Sequence, residues 1–156
     1  GELQERMGSG IPYTVPRGAY RCSDGKFIGL STSSDSVAQR VMALLGFSGD
    51  SSVATFEGRV ANRERIETAM REWCAARTQE QALRELSEAD AAAGPIMDMA
   101  DIAADPHYAA RDAIITVEGT PMQGLVAKLS GTPGAVRWRG RERDADGEHI
   151  RRNGWD

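Results

Sequence analysis

Among the side chains that transfer protons, attack electrophiles or ligate metals are two histidines, two cysteines and 23 carboxylates. His107 follows Asp105-Pro106 and His149 follows Gly147-Glu148. Neither stands at a His-x-x-x-His or comparable spacing to a second ligand, so the pattern points to packing or surface hydrogen bonding and not to a metal. Cys22 and Cys74 also lack ligand spacing, and Cys74 falls in a helical pattern beside Trp73, so both read as reduced, packed thiols. No Gly-x-Gly-x-x-Gly, phosphate-binding Gly-Lys-Ser/Thr loop or Gly-x-Ser-x-Gly elbow occurs. The carboxylates are scattered, with no pair set apart by spacing for acid/base work. No residue is assigned to catalysis or to a metal on these grounds.

Arg137, Arg139, Arg141 and Arg143 alternate around Trp138. In an extended segment they would share one side, suiting a solvated tail, intrachain acidic partners, or an anion or phosphate contact. The chain as a whole is acidic, with a formal charge of −4 and a pI near 5.3, which disfavours nucleic acid and anionic membranes as partners. Hydrophobic residues make up 40% of the 156, enough for a folded domain with a moderate core. No apolar run approaches a membrane span and no signal peptide is evident, so a cytoplasmic protein is expected. The chain opens without an initiator methionine, which suggests an excised or processed piece.

The elements that would position these residues predict an α+β fold. Residues 1–17, with Gly8, Ser9, Gly10, Pro12 and Pro16, have the composition of a linker or mobile loop. Residues 18–129 form a small domain of three main helices and two β-hairpins. The first hairpin pairs Gly18 to Arg21 with Lys26 to Leu30, and Asp24-Gly25 supplies positive φ angles at the turn. Ser34 caps a helix carrying Val37, Val41, Met42, Leu44 and Leu45, and Gly46 stops it. A second helix spans 59–76, with Asn62 as a cap and Ile66, Met70, Trp73 and Cys74 on one face. The capping box Thr78-Gln79-Glu80-Gln81 starts a third, about 79–89, with Ala82, Leu83 and Leu86 as its stripe.

Ala93 to Met97 is extended, Asp98 caps a brief helix through Ala103, and Pro106 begins another turn through Arg111. Ala113 to Glu118 and Gln123 to Ala127 make the second hairpin around Gly119-Thr120-Pro121. Residues 130–156 form an extended C-terminal arm and a short helix. The helices should pack with the two hairpins and bury Leu44, Leu45, Ile66, Met70, Trp73, Leu83 and Leu86 together.

Read in order, Tyr20-x-x-x-Asp24-Gly25-Lys26-Phe27-Ile28, Thr55-Phe56-Glu57-Gly58-Arg59-Val60-x-Asn62, Gly94-Pro95-Ile96-Met97 and Asp105-Pro106-His107-x-x-x-Arg111 resemble the C-terminal, small-domain half of family III CoA-transferases. The Ser130-Gly131-Thr132-Pro133-Gly134 turn and Gly147-Glu148-His149-Ile150 look like that family's closing segments. The resemblance implies an enzyme moving coenzyme A between carboxylic acids, with a coenzyme A thioester as substrate. It places the nucleophilic aspartate in a large N-terminal domain upstream, so this chain is expected to be inactive alone and to bind no cofactor by itself. It also implies a homodimer, and a glycine-rich loop over the intermediates, for which Gly8, Ser9 and Gly10 are the candidates. A racemase of the same family, or a noncatalytic dimerisation or binding domain, are the other readings.

Overall fold

The computed structural model describes Leu3 and residues 5–155; Gly1, Glu2 and Gln4 of the expected lead-in and Asp156 of the tail lie outside the described residues. Among those described are seven α-helices and two small antiparallel sheets, an α+β fold. The chain divides into two compact units, residues 1–97 and 98–156.

In the first unit β1 (Arg17–Arg21) and β2 (Phe27–Ser31) form the expected hairpin, with Tyr20 opposite Ile28. Only Gly25 takes a positive φ, at 82°. Asp24 acts through its carboxylate instead, accepting from the Lys26 amide at 3.2 Å and from the Gln79 amide at 3.0 Å. The Gln79 bond, foremost, holds its pKa below the ordinary carboxylate range. The Ala93–Ile96 segment is a third strand, β3, placing Gly94 opposite Gly29 and Pro95 opposite Ile28. Pro95 sits on an edge strand, where its missing N–H costs no ladder bond.

Helix α1 (Asp35–Leu44) starts where Ser34 accepts from the Val37 amide and ends in a left-handed Gly46. The Phe47 and Gly46 amides reach back to Met42 and Ala43, a Schellman stop. The expected single helix over 59–76 is two. Thr55 caps α2 (Phe56–Ala61), and α3 (Arg63–Ala75) follows a break at Asn62. Asn62 makes no side-chain cap bond; its amide donates instead to the Ser52 and Gly58 carbonyls, at 3.2 and 2.9 Å. Helix α4 (Gln79–Glu88) carries both bonds of the Thr78–Gln81 capping box. Thr78→Ala should cost about 0.5–2 kcal/mol, read as a shift in thermal or urea midpoint; an unchanged midpoint would mean the box contributes nothing.

The core follows helical and strand periods. Ile28 and Leu30 of β2, Tyr20 of β1, Val41 and Met42 of α1, Ile66, Met70 and Cys74 of α3, and Ala82 and Leu86 of α4 are buried in one cluster. Of the expected core, Ile66, Met70 and Leu86 are fully buried, whereas Leu44, Leu45, Trp73 and Leu83 pack partly buried against its rim. Trp73 lies there because Arg77 stacks on its ring at 4.1 Å and keeps one face polar. Thr14, Val15 and Pro16, within the expected linker, are buried, and the Thr32 hydroxyl donates to the Pro16 carbonyl at 2.7 Å. The end of the lead-in is therefore packed.

In the second unit Asp98 caps α5 (Met99–Ala104) through a box with Asp101, and Asp105 caps α6 (Pro106–Ala110). The second hairpin pairs β4 (Ile114–Val117) with β5 (Thr120–Gln123), so its turn is Glu118-Gly119, both at positive φ, and Pro121 lies within the strand opposite Thr116. That register differs from the expected Gln123–Ala127 strand because a two-residue turn with both central φ positive closes a hairpin more tightly than a four-residue loop over 119–122. Helix α7 (Gly147–Asn153) follows an arm without strand or helix. In the arm Arg139 pairs with Glu118 and Glu142, and Arg141 with Asp146. Intrachain acidic partners thus take up two of its four alternating arginines.

Candidate functional site

The motifs that carry the resemblance turn out to be corners of the fold. Asp24 ties a turn to α4, Thr55 and Gly58 shape the start of α2, Gly94-Pro95 forms an edge strand, and Asp105-Pro106 starts α6. Arg59 is buried and bonds Asp35 at 2.6 Å. His107 is exposed, with its ring edge-on to Tyr108, and His149 Nδ1 lies 3.1 Å from the Asn153 amide nitrogen. Cys22 and Cys74 are free, buried thiols; burial pushes both upward, Cys74 to about 12, so neither supplies thiolate near neutrality. Among the described residues no group of three His, Cys, Asp or Glu could hold a metal ion.

The remaining candidate, Gly8-Ser9-Gly10, has a defined geometry. The Gly10 amide donates to the Met7 carbonyl at 3.2 Å, closing a turn in which Gly8 takes a φ of 63° that a side chain would strain. Ser9 Oγ accepts from the Ala19 amide of β1 at 2.9 Å, latching the turn to the sheet edge. Gly18 makes that approach possible, since a Cβ there would stand 2.9 Å from Ser9 Oγ. Arg63 of α3 holds the following residues, donating to the Ile11 and Pro12 carbonyls at 3.0 and 2.5 Å.

Beside this turn lies a cavity of about 360 Å³, whose walls include Ser9, Gly10, Arg17, Tyr20, Arg63, Glu67 and Arg71. Residues 63, 67 and 71 of α3 stand one helical turn apart and so share a face toward β1. Glu67 accepts from the Tyr20 hydroxyl at 2.9 Å and from the Arg17 amide at 3.4 Å. Burial, then the Glu67 charge, raise Tyr20 well above its ordinary value, so it stays a neutral donor. The Arg-x-x-x-Glu-x-x-x-Arg spacing was the signal for these residues; what the sequence does not reveal is that their face meets the glycine turn. A second cavity, of about 450 Å³, is lined by Met99, Ile102, Ile114, Met122 and Val126 with Tyr108 as its one titratable side chain. It offers apolar volume but no charged group.

No helix among the described residues is long and apolar enough to cross a membrane. A profile of CoA-transferase family III matches residues 1–145. The chain is 29% identical to succinyl-CoA–D-citramalate CoA-transferase of Chloroflexus aurantiacus over 97% of its own length and 39% of that protein's. It is 28% identical to the succinyl-CoA–L-malate CoA-transferase alpha subunit of Chloroflexus aurantiacus, over 87% of its length and 34% of that subunit. A crystal structure of a CaiB/BaiF family protein from Brucella suis superposes with a TM-score of 0.76 at 28% identity, covering 97% of this chain and 40% of that one. The chain thus spans two-fifths or less of the length of these relatives.

Proposed function

Because the chain belongs to CoA-transferase family III, we propose that it is the small-domain portion of an enzyme that moves coenzyme A from an acyl-CoA to a carboxylic acid. The family match over residues 1–145, with its motifs in order, carries this reading. The relatives named above act on succinyl-CoA with D-citramalate or L-malate, and the same class, short dicarboxylic acids, is the substrate class proposed here. Gly8, Ser9 and Gly10 are the covering segment: a turn without side-chain bulk at two of three positions lets backbone approach a bound acyl group closely. The nucleophilic carboxylate belongs to a large N-terminal domain, which is this portion's main partner, and the full enzyme is a cytoplasmic homodimer. Binding and covering the substrate are the small domain's share; dividing the transfer into covalent steps is the large domain's.

Two assays test this. Residues 1–156 alone should show no transfer across a panel of acyl-CoA donors and carboxylate acceptors, and turnover by the chain alone would place the nucleophile within it. A hybrid in which residues 1–145 replace the matching segment of the succinyl-CoA–D-citramalate enzyme should retain transfer above background. A folded hybrid with none would overturn the proposal.

A further inference from the structure

Positive charge beside the Met7–Gly10 turn is left uncompensated. Arg6, Arg17, Arg63 and Arg71 border the cavity against one carboxylate, Glu67, which accepts from the Tyr20 hydroxyl at 2.9 Å and from the Arg17 amide at 3.4 Å. None of the four arginines forms an ion pair among the described residues, as is also true of Arg21 and Arg84, whereas Arg40, Arg59, Arg65 and Arg77 of the same unit do. Arg63 is committed to the Ile11 and Pro12 carbonyls, and Arg6 is exposed near the chain start. That leaves Arg17, half-buried on β1, and Arg71, exposed on α3 and donating to the Thr68 hydroxyl of its own helix.

A guanidinium binds a carboxylate through two parallel N–H bonds, and partial exclusion from water strengthens that pairing. The cavity, about 360 Å³, lies at the small end for ligand sites, suiting a short acid and not a whole coenzyme A. We propose that Arg17 and Arg71 clamp the free carboxylate of a dicarboxylic acyl group or acid lying beneath the Gly8–Gly10 turn. This rests on the dicarboxylate reading above and assigns residues to it: the clamp selects substrates with a second carboxylate, while Tyr20 keeps Glu67 from competing for the guanidiniums.

The folded 156-residue chain is titrated with succinate, succinamide and inorganic phosphate, following the Arg17 and Arg71 Nε–H signals by NMR. Succinate should shift both saturably, neutral succinamide should move neither, and phosphate should bind more weakly. Arg17→Met or Arg71→Met should weaken succinate by about tenfold or more, as expected for loss of a charge-assisted hydrogen bond. Arg71→Lys should recover part of the loss, keeping charge without the fork. The clamp is overturned by absent succinate saturation, by wild-type affinity in both methionine variants, or by a preference for phosphate, which would mark a phosphate-bearing ligand instead. None of these readouts needs turnover, so their failure leaves the family reading intact, and an inactive hybrid would leave the clamp intact.

Discussion

Leu86→Ala is expected to lower the free energy of unfolding by about 2–5 kcal/mol. Leu86 is 1% exposed, one helical turn from the fully buried Ala82, on the face by which α4 meets β2 and β3. Two losses add: the transfer energy of the removed carbons, and the cavity that remains because the surroundings relax only partly. Collapse into the space is hindered on the chain itself. The Leu86 carbonyl accepts the Ala91 amide in the stop that ends α4, and the start of the same helix is pinned by Asp24 accepting the Gln79 amide. Leu83→Ala, on the half-buried rim, should cost clearly less. Urea unfolding with an unchanged m-value would measure both. Equal midpoints for the two variants would show that the face of α4 is misassigned.

The contrast between Leu83 and Leu86 marks how far the sequence could be read. Local chemistry was legible: Ser34, Thr78 and Asp98 each accept the amides their positions predict, and Gly46 takes its left-handed stop. These signals need only neighbours within four residues. The break between α2 and α3 was not legible, because the Asn62 amide, in place of capping, donates to the Gly58 carbonyl and to a carbonyl ten residues back, at Ser52. Burial of Thr14 and Val15 escaped for a similar reason, since their polar and proline-rich surroundings resemble a linker until Thr32 and the core are placed beside them. At the candidate site the glycine turn stood out by composition, and the Arg63-Glu67-Arg71 spacing was present on the page of the sequence. Their meeting across β1 is a tertiary fact that no local pattern encodes.

Arg59 was equally hidden, since an arginine is among the residues least expected inside, and it sets up the second large effect. Its side chain is 1% exposed; Nη2 donates to Asp35 at 2.6 Å, Nη1 to the Ala54 carbonyl at 3.4 Å, and the guanidinium lies 5.7 Å from the Phe56 ring centre. Arg59→Ala should cost about 3–5 kcal/mol, in the range of deleting a large buried side chain. The interesting comparison is Arg59→Met. Asp35 is 66% exposed, so it can return to water when its partner is gone. Removing the guanidinium also removes the cost of burying its charge, and replacement of buried ions by apolar groups of similar volume is often neutral. Arg59→Met should therefore stay within about 1.5 kcal/mol of the parent, as volume-conserving swaps do. Asp35→Asn acts in the opposite sense, leaving the buried cation without its charged acceptor, and should cost about 1.5–3 kcal/mol as a charge-assisted bond is lost. The predicted order of stability is parent and Met together, then Asp35→Asn, then Arg59→Ala. If methionine proves as damaging as alanine, the guanidinium's bonds and not its bulk hold α2 against the start of α1, and the packing account of Arg59 is wrong.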